Sequence, residues 1–123
     1  YQELLTELQT GGQLSKEGVQ QHVYDGKWEM DAKVVALIVD GEPRAQAKKG
    51  DRIEIVLDQT PFYVASGGQV SDTGSISGAG WQVRVDDTAR PVKGLIVHIG
   101  EVTEGMLSVG TAAHAKIDIW RRW

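Results

Sequence analysis

Ile53, Ile55 and Leu57 alternate with Arg52, Glu54 and Asp58. The same two-residue period returns at Trp81, Val83 and Val85, and again at Ala113, Ala115, Ile117 and Ile119. Residues spaced in this way share one face of an extended strand, whereas a helix would scatter them around its circumference. Lys33 to Val39 is β-branched and apolar on both faces, which predicts a strand covered on two sides, and Gly94 to Val102 is strand-like as well. The chain carries 15 glycines, suited to tight turns and bulges where φ is positive. Several short strands with this punctuation and little helix predict a mainly β fold, a small closed or partly closed barrel.

One helical pattern precedes the strands. Tyr1, Leu4, Leu5 and Leu8 recur at helical spacing among Glu3, Glu7 and Gln9, and Gly11 and Gly12 end the pattern, with Ser15 able to cap a further turn. The expected organisation is a helical lead-in or linker over residues 1–25 and one barrel domain over 26–123. Alone, the leucine stripe is expected to be exposed and to favour weak self-association. A first residue of Tyr1 rather than Met is expected of a piece of a longer protein.

Composition removes several function classes. There are no cysteines, which excludes disulfides, thiolate zinc sites and cysteine nucleophiles. No apolar run approaches the roughly 20 residues of a membrane span, no signal peptide is indicated, and a cytoplasmic location without a membrane partner is expected. The net charge of −4 and pI of about 5.3 do not suit a free-standing nucleic-acid binder. Any RNA contact is expected to be local, with other domains supplying most of the affinity.

The stretch Asp58-Gln59-Thr60-Pro61-Phe62-Tyr63-Val64-Ala65-Ser66-Gly67-Gly68-Gln69-Val70-Ser71-Asp72-Thr73-Gly74 is chemically distinct from an ordinary loop. Pro61 restrains its own φ and pushes Thr60 toward extended geometry. Phe62 and Tyr63 give an aromatic anchor. Gly67 and Gly68 remove two consecutive side chains, so that another backbone or a ligand can approach, and Gln69 sets donors and an acceptor beside the bare backbone. The residues alone leave two readings open: a glycine bulge at a barrel rim with Pro61 and Phe62 packed beneath it, or a polar site of close approach.

This stretch closely resembles the TPFYxxSGGQxxDTG signature of alanyl-tRNA synthetases, which related stand-alone proteins that edit mischarged alanine tRNA carry in similar form. Lys33-Val34-Val35-Ala36-Leu37-Ile38 with Asp40-Gly41, and Gly50-Asp51 before Ile55-Val56-Leu57-Asp58, resemble the family's lead-in. Val85-Asp86-Asp87-Thr88, His98-Ile99-Gly100, Gly105 to Gly110, and Ile117-Asp118 with Arg121-Arg122 follow in the family's order, so the likeness spans about residues 22–123. Departures occur at Val64-Ala65, where the family has a small residue and then glutamate, at Ser71, a common glycine, and at His22-Val23-Tyr24, which matches the family's aromatic-Gly-Tyr entry loosely.

The resemblance implies a barrel similar to the second domain of translation elongation factors, belonging to the editing region of an alanine–tRNA ligase. It implies a parent that ligates alanine to tRNA-Ala and hydrolyses tRNA mischarged with serine or glycine, an ATP and magnesium site in an upstream catalytic domain, and zinc in a following domain. No catalytic residue and no metal ligand is expected within this chain, which is expected to be silent alone. Its partners are expected to be tRNA-Ala and the upstream and downstream domains. An alanine pocket cannot strongly reject glycine or serine, so a second site must cleave the wrong ester.

Thr60, Gly67, Gly68 and Gln69 are the candidate editing-pocket residues: Thr60 and Gln69 for polar contacts at the rim, the glycines for approach of the terminal adenosine or aminoacyl group. Lys48, Lys49, Arg52, Arg121 and Arg122 are candidate contacts to the tRNA acceptor arm, against the alternative of ordinary solvated charges. His98, inside an apolar strand, is expected to be structural and to bond a backbone group, and His114 to face solvent or RNA. Asp86 and Asp87 are expected to serve a turn. Two further classes stay open: a structural or RNA-docking barrel with no pocket residue, and part of a stand-alone editing hydrolase. Gly67-Gly68-Gln69 is also the tripeptide of peptide-release factors, but Gly11-Gly12-Gln13 repeats it and the neighbours Ser66, Val70 and Asp72 are not basic.

Overall fold

The computed structural model describes residues 2–12, 18, 20–21, 29–62, 73–92 and 94–117. Tyr1, Ser15, His22 to Tyr24, Tyr63, Gly67, Gly68, Gln69, Arg121 and Arg122, all singled out above, lie outside the described residues. The elements in order are α1 (Gln2–Thr10), β1 (Gln20–Gln21), β2 (Glu29–Val39), β3 (Glu42–Arg44), β4 (Gln46–Lys48), β5 (Arg52–Leu57), β6 (Gln59–Thr60), β7 (Gly74–Gly78), β8 (Trp81–Val92), β9 (Leu95–Glu104), β10 (Met106–Ser108) and β11 (Ala112–Ile117).

The predicted barrel is present and closed. β2, β5, β9, β8, β7 and β11 follow one another in the sheet, and β11 pairs back onto β2, closing a barrel of six antiparallel strands. β3 continues from β2 through Asp40-Gly41, both with positive φ (54° and 79°), with Val39 opposite Glu42. That two-residue turn of mirror-image type matches the twist of the strands it joins. β4 and β10 form a small antiparallel pair in which buried Ala47 faces buried Leu107.

Side chains on alternate positions fill the barrel. Val34, Leu37, Ile53, Ile55, Leu57, Phe62, Ile76, Val83, Val85, Val102, Ala115 and Ile117 make one continuous interior cluster. A second cluster lies on the outer face, where Leu5 and Leu8 of α1 meet Val35, Ala36, Val56, Leu95, Ile96 and Val97. This explains why the second strand is apolar on both faces. It also corrects the expectation of an exposed leucine stripe: Leu5 and Leu8 are 4% and 7% exposed. The helix is docked, and each leucine contributes roughly 1.5–3 kcal/mol of burial.

The long strand β8 departs from simple alternation. Its register with β9 shifts between Gln82 and Val83, between Val85 and Asp87, and between Ala89 and Val92. Asp86 is the extra residue of the middle bulge, so Asp86 and Asp87 sit in a bulged strand and not in the turn expected for them. The bulge re-aims Asp86 toward Arg52 at 2.7 Å and Arg84 at 3.3 Å.

Candidate functional site

The signature segment enters through a stem built from distant parts of the chain. Asp58 clamps β2: its backbone N–H donates to the Lys33 carbonyl at 3.1 Å, and its Oδ1 accepts the Lys33 N–H at 2.9 Å. These bonds satisfy the ladder beside the bulge between Val34 and Ala36. Gln59 Nε2 donates to the Asp31 carbonyl at 2.7 Å. On the other side β6 pairs in parallel with β1, Gln20 opposite Gln59 and Gln21 opposite Thr60. Pro61 and Phe62 are buried beneath.

Thr60 is fully buried. Its Oγ1 lies 2.8 Å from His98 Nε2 and accepts the Phe62 N–H at 3.1 Å. The opposite ring nitrogen, Nδ1, is 2.8 Å from the Ile55 carbonyl. The Phe62 ring meets the His98 ring edge-on, centroids 5.1 Å apart at 77°. The expectation of a rim hydroxyl at Thr60 is therefore revised: the hydroxyl is spent on internal bonds, and Thr60 holds the stem. His98 bonds a backbone carbonyl as expected of a structural histidine. Burial pushes its imidazole down to about 4, against the raising effect of the Ile55 bond, so it is neutral near pH 7.

The far end of the segment is equally constrained. Thr73 leads into Gly74, which pairs with both Ile117 of β11 and Val85 of β8. A Cβ on Gly74 would lie 2.1 Å from the Lys116 carbonyl oxygen and 2.8 Å from Ile117 Cα. The last glycine of the signature thus serves the close approach of β7 and β11.

The candidate cations separate into two kinds. Lys48 and Lys49 are exposed and form no ion pair among the described residues, while their backbone N–H groups are tied to Asp51 Oδ2 and the Gly105 carbonyl. Arg52 is already paired with Asp86, whose carboxyl is held below its ordinary range chiefly by that bond. Its guanidinium, unlike the two lysine ammonium groups, is thus engaged within the barrel surface while staying exposed. His114 is partly exposed, as expected, between Asp31 Oδ1 at 2.9 Å and Glu29 Oε1 at 3.2 Å. The Asp31 bond leads the causes that raise its pKa. The Thr60–His98 link was invisible in the sequence; its only trace was a lone histidine in an apolar strand.

Among the described residues no group of three or more His, Cys, Asp or Glu side chains could hold a metal ion, and no helix is long and apolar enough to cross a membrane.

The model of the family described as tRNA synthetases class II (A) matches residues 3–121. Over 91 residues the chain is 53% identical to an alanine–tRNA ligase of Anaeromyxobacter dehalogenans, covering 74% of this chain and 10% of the relative. A Thermobifida fusca alanine–tRNA ligase is 48% identical over 95 residues, 76% of this chain and 11% of the relative. One from Chloroflexus aurantiacus is 46% identical over 91 residues, 74% and 10%. The chain spans about a tenth of the length of the curated relatives it matches.

Proposed function

The chain belongs to the class II (A) tRNA synthetases, and from that premise we propose that it is the barrel of the editing region of an alanine–tRNA ligase. In this reading the parent charges tRNA-Ala in the cytoplasm and hydrolyses tRNA carrying serine or glycine in error. The barrel supplies part of the wall of the hydrolytic site and is silent alone. The observation that carries the reading is the family match running through the whole signature, residues 58–74, within a closed barrel. Gln69 is the polar contact and Gly67-Gly68 the point of backbone approach. Thr60 acts from beneath.

The zinc, ATP and magnesium implied for the parent belong to other segments of it. Among the described residues no group of His, Cys, Asp or Glu side chains fits a metal ion.

In the full-length protein, Gln69→Ala is expected to slow hydrolysis of serine-charged tRNA-Ala by about 5- to 150-fold, the kinetic equivalent of losing a buried hydrogen bond. Alanine charging should stay within about twofold. Unaltered hydrolysis removes Gln69 from the site.

A second reading, a spacer and RNA-docking module without a pocket residue, draws support from the sealed Thr60 hydroxyl. The two readings share the proposal that Lys48 and Lys49, with Arg121 and Arg122, meet phosphates of the acceptor arm. Replacing Lys48 and Lys49 by glutamine is expected to reduce the slope of log affinity against log salt by about 0.7–0.9 for each phosphate that a lysine had neutralised. A slope that does not move assigns these lysines to the solvated surface.

A further inference from the structure

Four groups form one directed line of hydrogen bonds through the barrel interior. The Ile55 carbonyl can only accept, so His98 Nδ1 carries the hydrogen on that bond. In the neutral ring Nε2 must then accept, and Thr60 Oγ1 donates its single hydrogen to it. The remaining face of Oγ1 accepts the Phe62 N–H. Every hydrogen in the line has one place to go, which removes the rotational freedom a threonine hydroxyl normally has. The line runs from β5 through β9 to the backbone on either side of Pro61. Both Thr60 and His98 are fully buried, so neither can meet a substrate directly as placed.

We propose that His98 is a positioning residue for the hydrolysis of mischarged tRNA: acting through Thr60, it fixes the chain at Pro61 and Phe62, at the base of the signature. The inference rests on the editing reading above. Its physical content is that an acceptor at the Nε2 position is needed for rate, and that filling the core alone is not enough. A misplacement of about 1 Å at a reacting centre can cost on the order of 100-fold in rate, and the Phe62 N–H is held by the same Thr60 hydroxyl that bonds His98.

Two substitutions separate the ends of the ring. His98→Asn keeps a donor near the Ile55 carbonyl and removes the acceptor for Thr60. His98→Gln keeps an acceptor toward Thr60 and gives up the donor. Thr60→Val removes the hydroxyl at nearly constant volume, and Thr60→Ser restores it. The test measures hydrolysis of serine-charged tRNA-Ala by the full-length protein, at a temperature where thermal melts show each variant folded. His98→Asn and Thr60→Val are expected to lower kcat about 10- to 100-fold, with KM for the charged tRNA and the alanine-charging rate within about twofold. The double variant should be no slower than the worse single one. His98→Gln should lose less than His98→Asn, and Thr60→Ser should recover most of the rate lost in Thr60→Val. Equal losses in His98→Asn and His98→Gln that follow melting temperature would overturn the proposal, as would losses that multiply in the double variant, or a Thr60→Val enzyme with unaltered kcat. A parent protein that leaves serine-charged tRNA intact would sink the editing reading and this inference with it. Unaltered rates in the variants of an active parent sink the inference alone.

Discussion

Lowering the pH from 7 to 4 should remove about 3 kcal/mol of stability from this barrel through His98 alone. The imidazole is neutral and buried in the fold, with its pKa pushed down to about 4, while in the unfolded chain it titrates near 6.5. Between those values the unfolded chain binds a proton that the native one does not, so stability falls as the pH falls, by about 1.4 kcal/mol per unit. The contribution is complete above about pH 6.5 and gone once the pH passes the folded value. The bonding pattern states the cause in atoms. A proton on Nε2 would turn an acceptor into a second donor facing Thr60 Oγ1, and the threonine hydrogen would lose its partner in a dry interior. Urea unfolding of the chain at successive pH values, beside His98→Asn, measures this: through the window the wild type should lose about 3 kcal/mol more than the variant. His114 works in the opposite sense, because its raised pKa adds stability that is lost as the pH rises through that value. Its exposure keeps the effect small. Parallel pH dependence in wild type and His98→Asn would refute the assignment.

Gly74→Ala should cost about 3 kcal/mol or more, a large effect for one methyl group. The added carbon would sit 2.1 Å from the Lys116 carbonyl oxygen, and that atom belongs to the neighbouring strand, not to a side chain that can swing aside. β7 and β11 would have to part where they pair. Gly80→Ala is the control. Gly80 has a φ of 79°, and its Cβ would meet nothing within 4 Å, so only backbone strain of roughly 1–2 kcal/mol is expected. Comparing the two urea midpoints separates crowding from strain. A Gly74 variant no weaker than the Gly80 variant would mean that the β7–β11 pairing yields freely.

Where alternation was strict, the strands were legible. Residues 52–58 read as a strand and β5 is Arg52–Leu57; 94–102 became Leu95–Glu104, and the alternation that opens at Ala113 falls in Ala112–Ile117. Trp81 to Asp86 reads as a strand of half the true length, because the bulges in β8 break the period that reveals it. β7, with the sequence GSISG, was missed since glycine and serine carry little β signal; only the centre of the barrel recruits it. The helix was visible as a stripe, but a stripe does not say what it faces. The clue was in Lys33 to Val39, whose outward Val35 and Ala36 required a cover that α1 provides. The site was the least legible part. Thr60 looked like a free polar group beside a proline, and its partner lies 38 residues away on a strand brought near only by barrel closure. Arg52 looked like one of a basic trio, yet a bulge no pattern announces turns Asp86 onto it.

The footing of the signature segment joins β1, β2, β5, β6 and β9, sections that lie far apart along the polypeptide. Such a joint depends on several distant strands at once, so a change in any one of them reaches the base of the signature. Under the editing proposal, a substitution on a strand as remote as β9 is therefore expected to reach proofreading without meeting the substrate.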